Sequence, residues 1–420
     1  MKTLFLILFG CGAALQALAQ DITLRHDLEG KSLDTLATLA LRFNDEQKGR
    51  GRVLLQDARG LENKQVLPHL ALLDPDDSME FFSTRPRFRP LHEVMHEAGQ
   101  KLDAAWFYPQ IADAADDASG RIQALPMALS LPVLFTNRAA LRKAGIDPDL
   151  PVKTWWDLQK VAGQIYDSGG KCPLTTARFA WIHSENVSSQ AGESSVAKVG
   201  SVDKVQVNGM VNVKHLALLA SWQKSRYFHY SGPGREGNRR FLSGECAMLT
   251  GESSLYADAR RAGLDVGIAA LPHYDDVYGA KPADTLPDGA GLWALAGHKK
   301  EEYKLAARFA DFMLRPAVQI EWVSATGYLP MTSAALKGLR DSGIPQQVLD
   351  AAERRLSVTR KGSVRVNHGP LRDMLREFMG EEVAPVWTTD RPAKEALDNV
   401  VRRVDAATAT PAKAGPVRTK

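Results

Sequence analysis

The chain has 420 residues, of which 44% are apolar and 24% charged, and its formal net charge is +4 at pH 7. This length and composition are typical of a globular protein with two or three domains' worth of core, and they exclude a largely disordered chain. Several basic residues lie at the two ends of the chain, so the folded body is close to neutral: Lys2, Lys413, Arg418 and Lys420. No concentrated basic face is evident, and we therefore expect no nucleic-acid partner.

The first residues have the pattern of a secretory signal. Residues 1–3 carry a positive charge, an apolar run extends from Leu4 to about Leu15, and the small-residue cleavage pattern ends at Ala19. The apolar run is too short to span a membrane. We predict that residues 1–19 are removed and that the mature chain is soluble outside the cytoplasm. A lipoprotein anchored through Cys11 is the less favoured alternative, because the apolar core before it is short.

The mature chain begins with a strand, helix, strand pattern. Residues 22–26 alternate as a half-buried strand does, and residues 53–55 predict the next strand. Between them, apolar residues recur at helical spacing: Leu33, Leu36, Leu39, Ala40 and Phe43. This order indicates a parallel β-sheet with helices on its faces.

The segment from Leu131 to Cys172 is the most informative part of the chain. A short apolar strand at residues 132–135 leads into a predicted helix over residues 138–143. A second helix starts at Thr154, whose hydroxyl can cap a backbone N–H while the Asp157 carboxylate returns a hydrogen bond from the third helical position.

The same theme of strands and helices returns later in the chain. Apolar patterning predicts strands at residues 265–270 and 290–295, and a helix over residues 301–313 that ends before Pro316. The sequence therefore predicts an α/β fold throughout.

Apart from Cys11, the chain contains only Cys172 and Cys246. Two cysteines in an exported chain favour a single disulfide, because such proteins mature in an oxidising compartment. Two buried free thiols are the alternative.

At residues 131–172 the chain resembles the extracellular solute-binding proteins of ABC importers, and within that family the periplasmic glycerol-3-phosphate-binding members. The resemblance extends from the first strand to Val404. It is carried by Leu28-Glu29-Gly30, Arg42-Phe43-Asn44, Pro90-Leu91-His92-Glu93-Val94, Lys171-Cys172, Val213-Lys214-His215, Gly244-Glu245-Cys246-Ala247-Met248, Thr326-Gly327-Tyr328-Leu329-Pro330 and Glu382-Val383-Ala384-Pro385-Val386-Trp387.

This resemblance implies a two-lobed periplasmic-binding-protein fold of type II, with a mostly parallel sheet flanked by helices in each lobe and the ligand between the lobes. The chain is expected to cross between lobes at residues 129–135, 289–295 and 327–330. The implied division is 20–131 and 290–330 for lobe 1, 132–289 and 331–406 for lobe 2, and 407–420 for a disordered tail. The two cysteines match cysteine positions of the family, which supports their pairing.

The family's pocket residues can be carried over to matching positions, and they suit glycerol-3-phosphate or a related glycerophosphodiester. Hydroxyls and a backbone N–H can donate to phosphate oxygens, and a guanidinium can bind two of these oxygens at once. The matching positions are Ser130, Ser253 or Ser254, Gly289 or Gly291, Tyr328, Arg365, and Trp181 as a packing surface for the glycerol carbons.

Three positions depart from the family pattern. Leu61 stands where the family has a tyrosine, Ser83 lies near the position of its pocket acid, and Arg178 replaces the first of two tryptophans. Arg178 can bring a second cation to the ligand, with a surface arginine as the alternative. The alcohol part of the ligand is therefore less well specified than the phosphate.

The resemblance also implies a monomer in the periplasm that binds a small phosphate ester, needs no cofactor, catalyses nothing, and delivers its ligand to membrane-embedded ABC permease subunits. A sugar-binding protein of the same superfamily is one alternative.

A zinc hydrolase is the other alternative, because residues 92–96 spell H-E-x-x-H. In this motif His92 and His96 would hold zinc and Glu93 would activate water. The apolar stripe of the same helix would turn both histidines away from a shaped cavity. A third ligand is not fixed by the sequence, although Asp113, Asp116 and Asp117 lie downstream.

Overall fold

The computed structural model describes residues 20–58, 67–73, 87–109, 111, 115–117, 119–276, 285–341, 349, 353 and 369–409. The strands in chain order are β1 Ile22–His26, β2 Val53–Asp57, β3 Leu70–Leu73, β4 Phe88–Arg89, β5 Leu125–Ser130, β6 Pro132–Asn137, β7 Leu174–Thr176, β8 Val196–Val199, β9 Val202–Val205, β10 Phe228–His229, β11 Met248–Glu252, β12 Val266–Ala270 and β13 Asp288–Leu295. The α-helices are α1 Gly30–Glu46, α2 Leu91–Glu97, α3 Arg138–Lys143, α4 Trp155–Asp167, α5 Asn186–Gln190, α6 Met210–Lys224, α7 Glu236–Leu242, α8 Leu255–Arg261, α9 Lys300–Leu314, α10 Pro316–Thr326, α11 Ser333–Leu339, α12 Gly369–Thr388 and α13 Ala393–Ala409. Within the described ranges, every helix is too short or too polar to be a membrane span.

The first sheet has the strand order β2-β1-β3-β13-β4, and β5 also pairs with β13. Strand β1 runs parallel to β2 and β3, as the opening strand, helix, strand pattern predicts. Strand β13 runs antiparallel to β3, β4 and β5.

The second main sheet has the order β10-β7-β11-β6-β12. Strand β7 is parallel to β10 and β11, whereas β6 is antiparallel to β11 and β12. Both sheets are therefore mixed rather than mostly parallel. The strands at the crossings, β6 and β13, run against their neighbours because each enters its sheet from the other lobe.

The core is divided by the second sheet. One cluster joins the first sheet to α1, α9 and α10, where the Phe43 and Phe309 rings meet edge to face at 5.1 Å. This cluster continues onto one face of the second sheet through Phe135, while Leu134 faces the cluster on the opposite face. The inner strand β6 is thus buried on both sides, which explains the apolar run at residues 132–135.

Two local predictions are confirmed in the second lobe. The Thr154 hydroxyl accepts a hydrogen bond from the Asp157 N–H at 3.0 Å, and the Asp157 carboxylate accepts from the Thr154 N–H at 3.1 Å, so the capping box of α4 is complete. Cys172 and Cys246 form a disulfide that joins the residues just before the parallel neighbours β7 and β11.

The division of the chain between the lobes stays a prediction, and two packing features bear on its limits. Helix α11 packs through Leu336 and Leu339 with the first core, which favours a lobe 1 that continues past Pro330. Helix α13 continues to Ala409, past the expected start of the tail.

Candidate functional site: the cleft between the sheets

A cavity of about 830 Å³ lies between the two lobes. Its described lining comes from both sheets, from helix starts and from the crossing segments. The lining residues are Arg25, Asp27, Leu28, Glu29, Ser32, Ala58, Leu72, Leu73, Ala128, Arg235, Glu236, Asn238, Arg239, Leu242, Glu252, Ser254, Leu255, Asp258, Ala290 and Tyr328.

The first lobe contributes the carboxyl ends of its parallel strands. Asp27 follows β1, Ala58 follows β2, and Leu73 is the last residue of β3. Parallel strands end at one edge of a sheet, and ligands of open α/β folds bind outside that edge. The cleft is therefore at the position that this topology favours.

The second lobe contributes the end of β11 and the first turn of α7. Glu252 ends β11, and its carboxylate accepts a 2.7 Å hydrogen bond from the Arg235 guanidinium. Asn238 is only 8% exposed, and its Oδ1 has no hydrogen-bond partner within the described ranges. A buried amide oxygen without a partner is an acceptor available to a ligand hydroxyl.

Tyr328 lies at the third crossing and lines the cleft. Its ring stacks on Trp322 with centroids 5.6 Å apart, which fixes the ring from one side. Burial raises the pKa of the Tyr328 hydroxyl, and the nearby Glu252 carboxylate raises it further. The hydroxyl thus stays protonated at neutral pH and can donate a hydrogen bond.

The two serines that the sequence left as alternatives have different environments. The Ser253 hydroxyl accepts a 3.0 Å hydrogen bond from the Leu131 N–H and so contributes to the first crossing. Ser254 lines the cleft. Ser130 is 1% exposed, is absent from the described lining, and its hydroxyl has no hydrogen-bond partner within the parts of the chain that are described.

The glycines of β13 flank Ala290, which lines the cleft. Gly289 has a φ of 141°, and a Cβ there would lie 2.2 Å from the Ala128 carbonyl oxygen. Glycine is thus required for β5 and β13 to approach this closely. A Cβ on Gly291 would meet the Ala124 Cβ at 3.3 Å, which is a milder constraint.

Arg178 is buried, so the alternative that it is a surface arginine is wrong. The side chain is 3% exposed and is not among the described lining residues. Its guanidinium donates to the Asp288 carboxylate at 2.6 Å and lies 3.5 Å from the Glu252 carboxylate. It also stacks over the Trp181 ring at 4.9 Å. Trp181 is itself 1% exposed and donates from its indole N–H to the Leu286 carbonyl, so both side chains support the cleft from behind.

The ion pairs continue from Asp288 into α12. The Arg376 guanidinium lies 2.7 Å from Asp288 and donates to the Glu185 carboxylate at 2.6 Å, and Arg372 lies 2.9 Å from Glu185. Burial raises the pKa of Glu185, but the Arg372 and Arg376 guanidiniums together lower it by more than burial raises it. The net shift of the pKa is therefore downward. We call Glu185, Arg376, Asp288, Arg178 and Glu252 the buried charge chain. It runs from Glu185 through α12 and the first residue of β13 to Glu252, which also pairs with the more exposed Arg235 at the cleft.

The described lining contains more carboxylates than guanidiniums: Asp27, Glu29, Glu236, Glu252 and Asp258 against Arg25, Arg235 and Arg239. Arg365, the expected phosphate ligand, lies outside the described residues, as do Leu61 and Ser83.

The H-E-x-x-H motif lies on α2, where the residues expected to form the apolar stripe, Leu91, Val94 and Met95, are buried. The His92 Nδ1 is 3.1 Å from the Ile122 carbonyl oxygen, and His96 is exposed. Among the described residues, the group able to hold a metal ion is a different one and includes neither histidine. Asp117 is paired with Arg121 at 2.7 Å.

Family comparisons agree with this geometry. Residues 60–345 match the model of the family described as bacterial extracellular solute-binding protein. The chain belongs to this family.

Relatives with sequence similarity include the sn-glycerol-3-phosphate-binding periplasmic protein UgpB of Escherichia coli strain K12, which is 31% identical over 93% of this chain and 94% of its own length. The protein of the same name from Salmonella typhimurium is 34% identical over 75% of this chain and 74% of its own.

Solved structures show the same two-lobed α/β fold. UgpB from Mycobacterium tuberculosis in complex with glycerophosphocholine has a TM-score of 0.74 at 19% identity and covers 92% of this chain and 98% of its own. Maltose-bound MalE3 from T. maritima has a TM-score of 0.72 at 16% identity and covers 93% of this chain and 100% of its own. The expected fold class is confirmed.

Several cleft residues of this solute-binding protein were not predicted, in particular Asp27, Ser32, Arg235, Asn238 and Glu252. All of them follow a strand, end one, or lie near the first turn of a helix. The rule that ligands bind outside strand ends would have indicated them once the strands were assigned.

Proposed function

We propose that this protein is the periplasmic substrate-binding component of an ABC importer and captures glycerol-3-phosphate or a related glycerophosphodiester in the cleft. The observation that carries the proposal is the 31% identity, over 93% of this chain, with a glycerol-3-phosphate-binding protein. The cleft residues Ser254 and Tyr328 supply hydroxyl donors of the kind that phosphate oxygens accept. Other predicted site residues within the described ranges then belong to the crossing segments or to the residues that support the cleft from behind: Ser130, Ser253, Gly289, Gly291 and Trp181.

The charges of the cleft favour a diester over the monoester. Glu252 is already paired with Arg178 and Arg235, and Asp258 with Arg261, but the other three lining carboxylates still disfavour a dianionic phosphate unless Arg365 or the cleft arginines compensate them. A diester carries one negative charge, and a positively charged second group can lie near Glu236. The unpaired Asn238 oxygen suits a glycerol hydroxyl.

Binding is expected to close the cleft. The lobes are joined by the crossing segments, and a ligand that contacts both lobes stabilises the closed form because only that form completes its contacts. The closed, loaded protein then delivers the ligand to the permease subunits. Residues 1–19, which lie outside the described residues, are proposed to direct export and to be removed.

Calorimetric titration of the mature protein with glycerol-3-phosphate, glycerophosphocholine and maltose tests the proposal. We expect saturable binding of the phosphate esters, with the diester tighter, and no binding of maltose. Binding of maltose alone would replace the proposal with the sugar-binding alternative.

Replacement of the expected phosphate ligand tests the site itself. We expect Arg365→Ala to weaken binding of the phosphate ester by at least about 1.5 kcal/mol, because a charged hydrogen bond is lost. Arg142→Ala is the control, since Arg142 is exposed and lies outside the described lining. Equal affinities in the two variants would remove Arg365 from the site.

A further inference from the structure

Three side chains that can ligate a metal lie together in the first lobe, away from the cleft. His69 precedes β3, His298 follows β13, and Glu302 lies in the first turn of α9. Strands β3 and β13 are antiparallel neighbours with Leu70 opposite Ala294, so the start of one and the end of the other share an edge. One ligand atom from each side chain lies within 4.8 Å of the others. His69 is four residues before the cleft residue Leu73, or roughly 13 Å along the strand.

The protonation of His298 leaves one ring nitrogen available for a metal. Its Nε2 lies 2.9 Å from the Pro68 carbonyl oxygen, which can only accept, so Nε2 carries the proton. The lone pair therefore lies on Nδ1. A backbone carbonyl on the far nitrogen is the arrangement that orients metal-binding histidines in proteins.

Glu302 is held by one oxygen and presents the other. Its Oε2 accepts a 2.6 Å hydrogen bond from the Lys299 N–H at the start of α9, and its Oε1 lies 3.7 Å from the His69 Nε2. Burial raises the pKa of Glu302, but the Lys299 N–H and the two histidines lower it more, so the group is a carboxylate at neutral pH.

His69 contacts a donor and an acceptor of the same residue. Its Nδ1 is 3.0 Å from the Thr23 N–H nitrogen and 3.1 Å from the Thr23 hydroxyl oxygen. Without a metal, Nδ1 accepts from the N–H and Nε2 carries the proton. Zinc at Nε2 would displace that proton to solvent, and Nδ1 would take up a proton, give up its bond from the Thr23 N–H and donate to the Thr23 hydroxyl instead.

We propose that His69, His298 and Glu302 form a binding site for a divalent transition-metal ion of the zinc class, separate from the solute cleft. Two imidazoles and a carboxylate, with a fourth position left to water, form a ligand set that zinc uses in proteins. Metal bonds of about 2.0–2.1 Å in tetrahedral geometry place ligand atoms roughly 3.3 Å apart. The 3.7 Å pair is close to this spacing, and the His69 and His298 rings, now stacked at 4.1 Å, splay to direct their nitrogens at one ion.

The side chains of His69 and Glu302 are 17% and 10% exposed, so an ion can enter from solvent. A bound ion joins the segment before β3 to the first turn of α9. It therefore stabilises the first lobe without touching the solute.

The test uses the mature, full-length protein after treatment with a chelator, titrated with zinc chloride by calorimetry and followed by thermal unfolding with and without zinc. We expect one zinc ion per chain and a higher Tm with zinc. Glu302→Gln and His298→Ala are expected to weaken zinc binding at least tenfold. Thr23→Val, which removes an acceptor but no ligand, is expected to weaken it by a smaller factor.

His96→Ala is the matched control, because it removes an exposed histidine of the H-E-x-x-H motif. It should leave zinc binding unchanged, and solute binding should be the same in all variants that fold. Zinc binding that is absent from the unmodified protein, lost in His96→Ala, or retained in Glu302→Gln and His298→Ala would overturn the proposal. None of these results depends on which solute the cleft binds.

Discussion

Arg178 shows how a charged residue can act on the cleft without lining it. Its guanidinium is 3% exposed and bound between Asp288 and Glu252. A buried charge is tolerated only when it is paired and hydrogen bonded. Arg178 therefore sets the position of Glu252, and the described lining of the cleft contains that carboxylate rather than the Arg178 cation.

Arg178→Met should destabilise the protein by about 3–5 kcal/mol, since it removes the cation between two buried carboxylates. Urea unfolding gives the free energy directly. Arg142→Ala breaks an exposed ion pair with Asp265 and should cost less than about 1 kcal/mol. Similar losses in both variants would mean that the buried charge chain contributes no more than a surface pair.

His183 and His215 form a second buried polar group in the second lobe. Their rings are joined by a 2.9 Å hydrogen bond, and Thr176 and Tyr274 bond the outer nitrogens. Burial lowers the pKa of His183 well below its usual value, with His215 adding to the effect, and burial lowers the pKa of His215 to about 3. Both rings are neutral in the folded protein.

Stability should consequently fall in mild acid. Below the unfolded-state pKa of 6.5, the histidines bind protons in the unfolded chain but stay neutral in the folded protein. The free energy of unfolding therefore decreases as the pH drops from 6.5 toward 3. The expected slope between pH 6 and 5 is roughly 1.4 kcal/mol per pH unit for each histidine. Urea unfolding across this range measures it. His183→Gln/His215→Gln should flatten the slope, and the exposed His96→Gln should not.

At the scale of elements, the parts of the fold that depend on residues close together in the sequence were predictable. The Thr154 and Asp157 cap involves residues three apart, and β1 and α1 follow from their own periodicity. The direction of β13 relative to β3 was not predictable in this way, because residues more than 200 positions apart form that pairing. The candidate site was predictable from the sequence only as a set of residue types that can form hydrogen bonds with a ligand. Whether Ser253 or Ser254 faces the cleft depends on how the first crossing packs.

The disulfide links two strands that are parallel neighbours but far apart in sequence. Cys172 and Cys246 are separated by 74 positions, so the bridge restricts a long loop of the unfolded chain. Cys172→Ser/Cys246→Ser should lose about 2–5 kcal/mol of unfolding free energy. Unfolding of the unmodified protein with and without a reductant provides the check, and the double variant should be insensitive to the reductant. A reductant effect that persists in the double variant would contradict this assignment.

At the scale of the whole molecule, the proposed function depends on movement about the crossings. Saturating glycerophosphocholine should reduce the radius of gyration measured by solution X-ray scattering, because the closed form is more compact. Maltose is the control solute and should leave the profile unchanged. Tight calorimetric binding without any change in scattering would show that the cleft does not close around the solute.

The path of the chain also limits when the protein can fold. Strand β13 lies between β3 and β4, so the first sheet is incomplete until residue 295 is available. The core of the second lobe likewise needs α12 and α13 near the C-terminus. Neither half can complete its core while most of the polypeptide is still being synthesised. If the chain is exported as proposed, the topology itself keeps the precursor unfolded, and so extended enough for a translocation channel, until synthesis is almost complete.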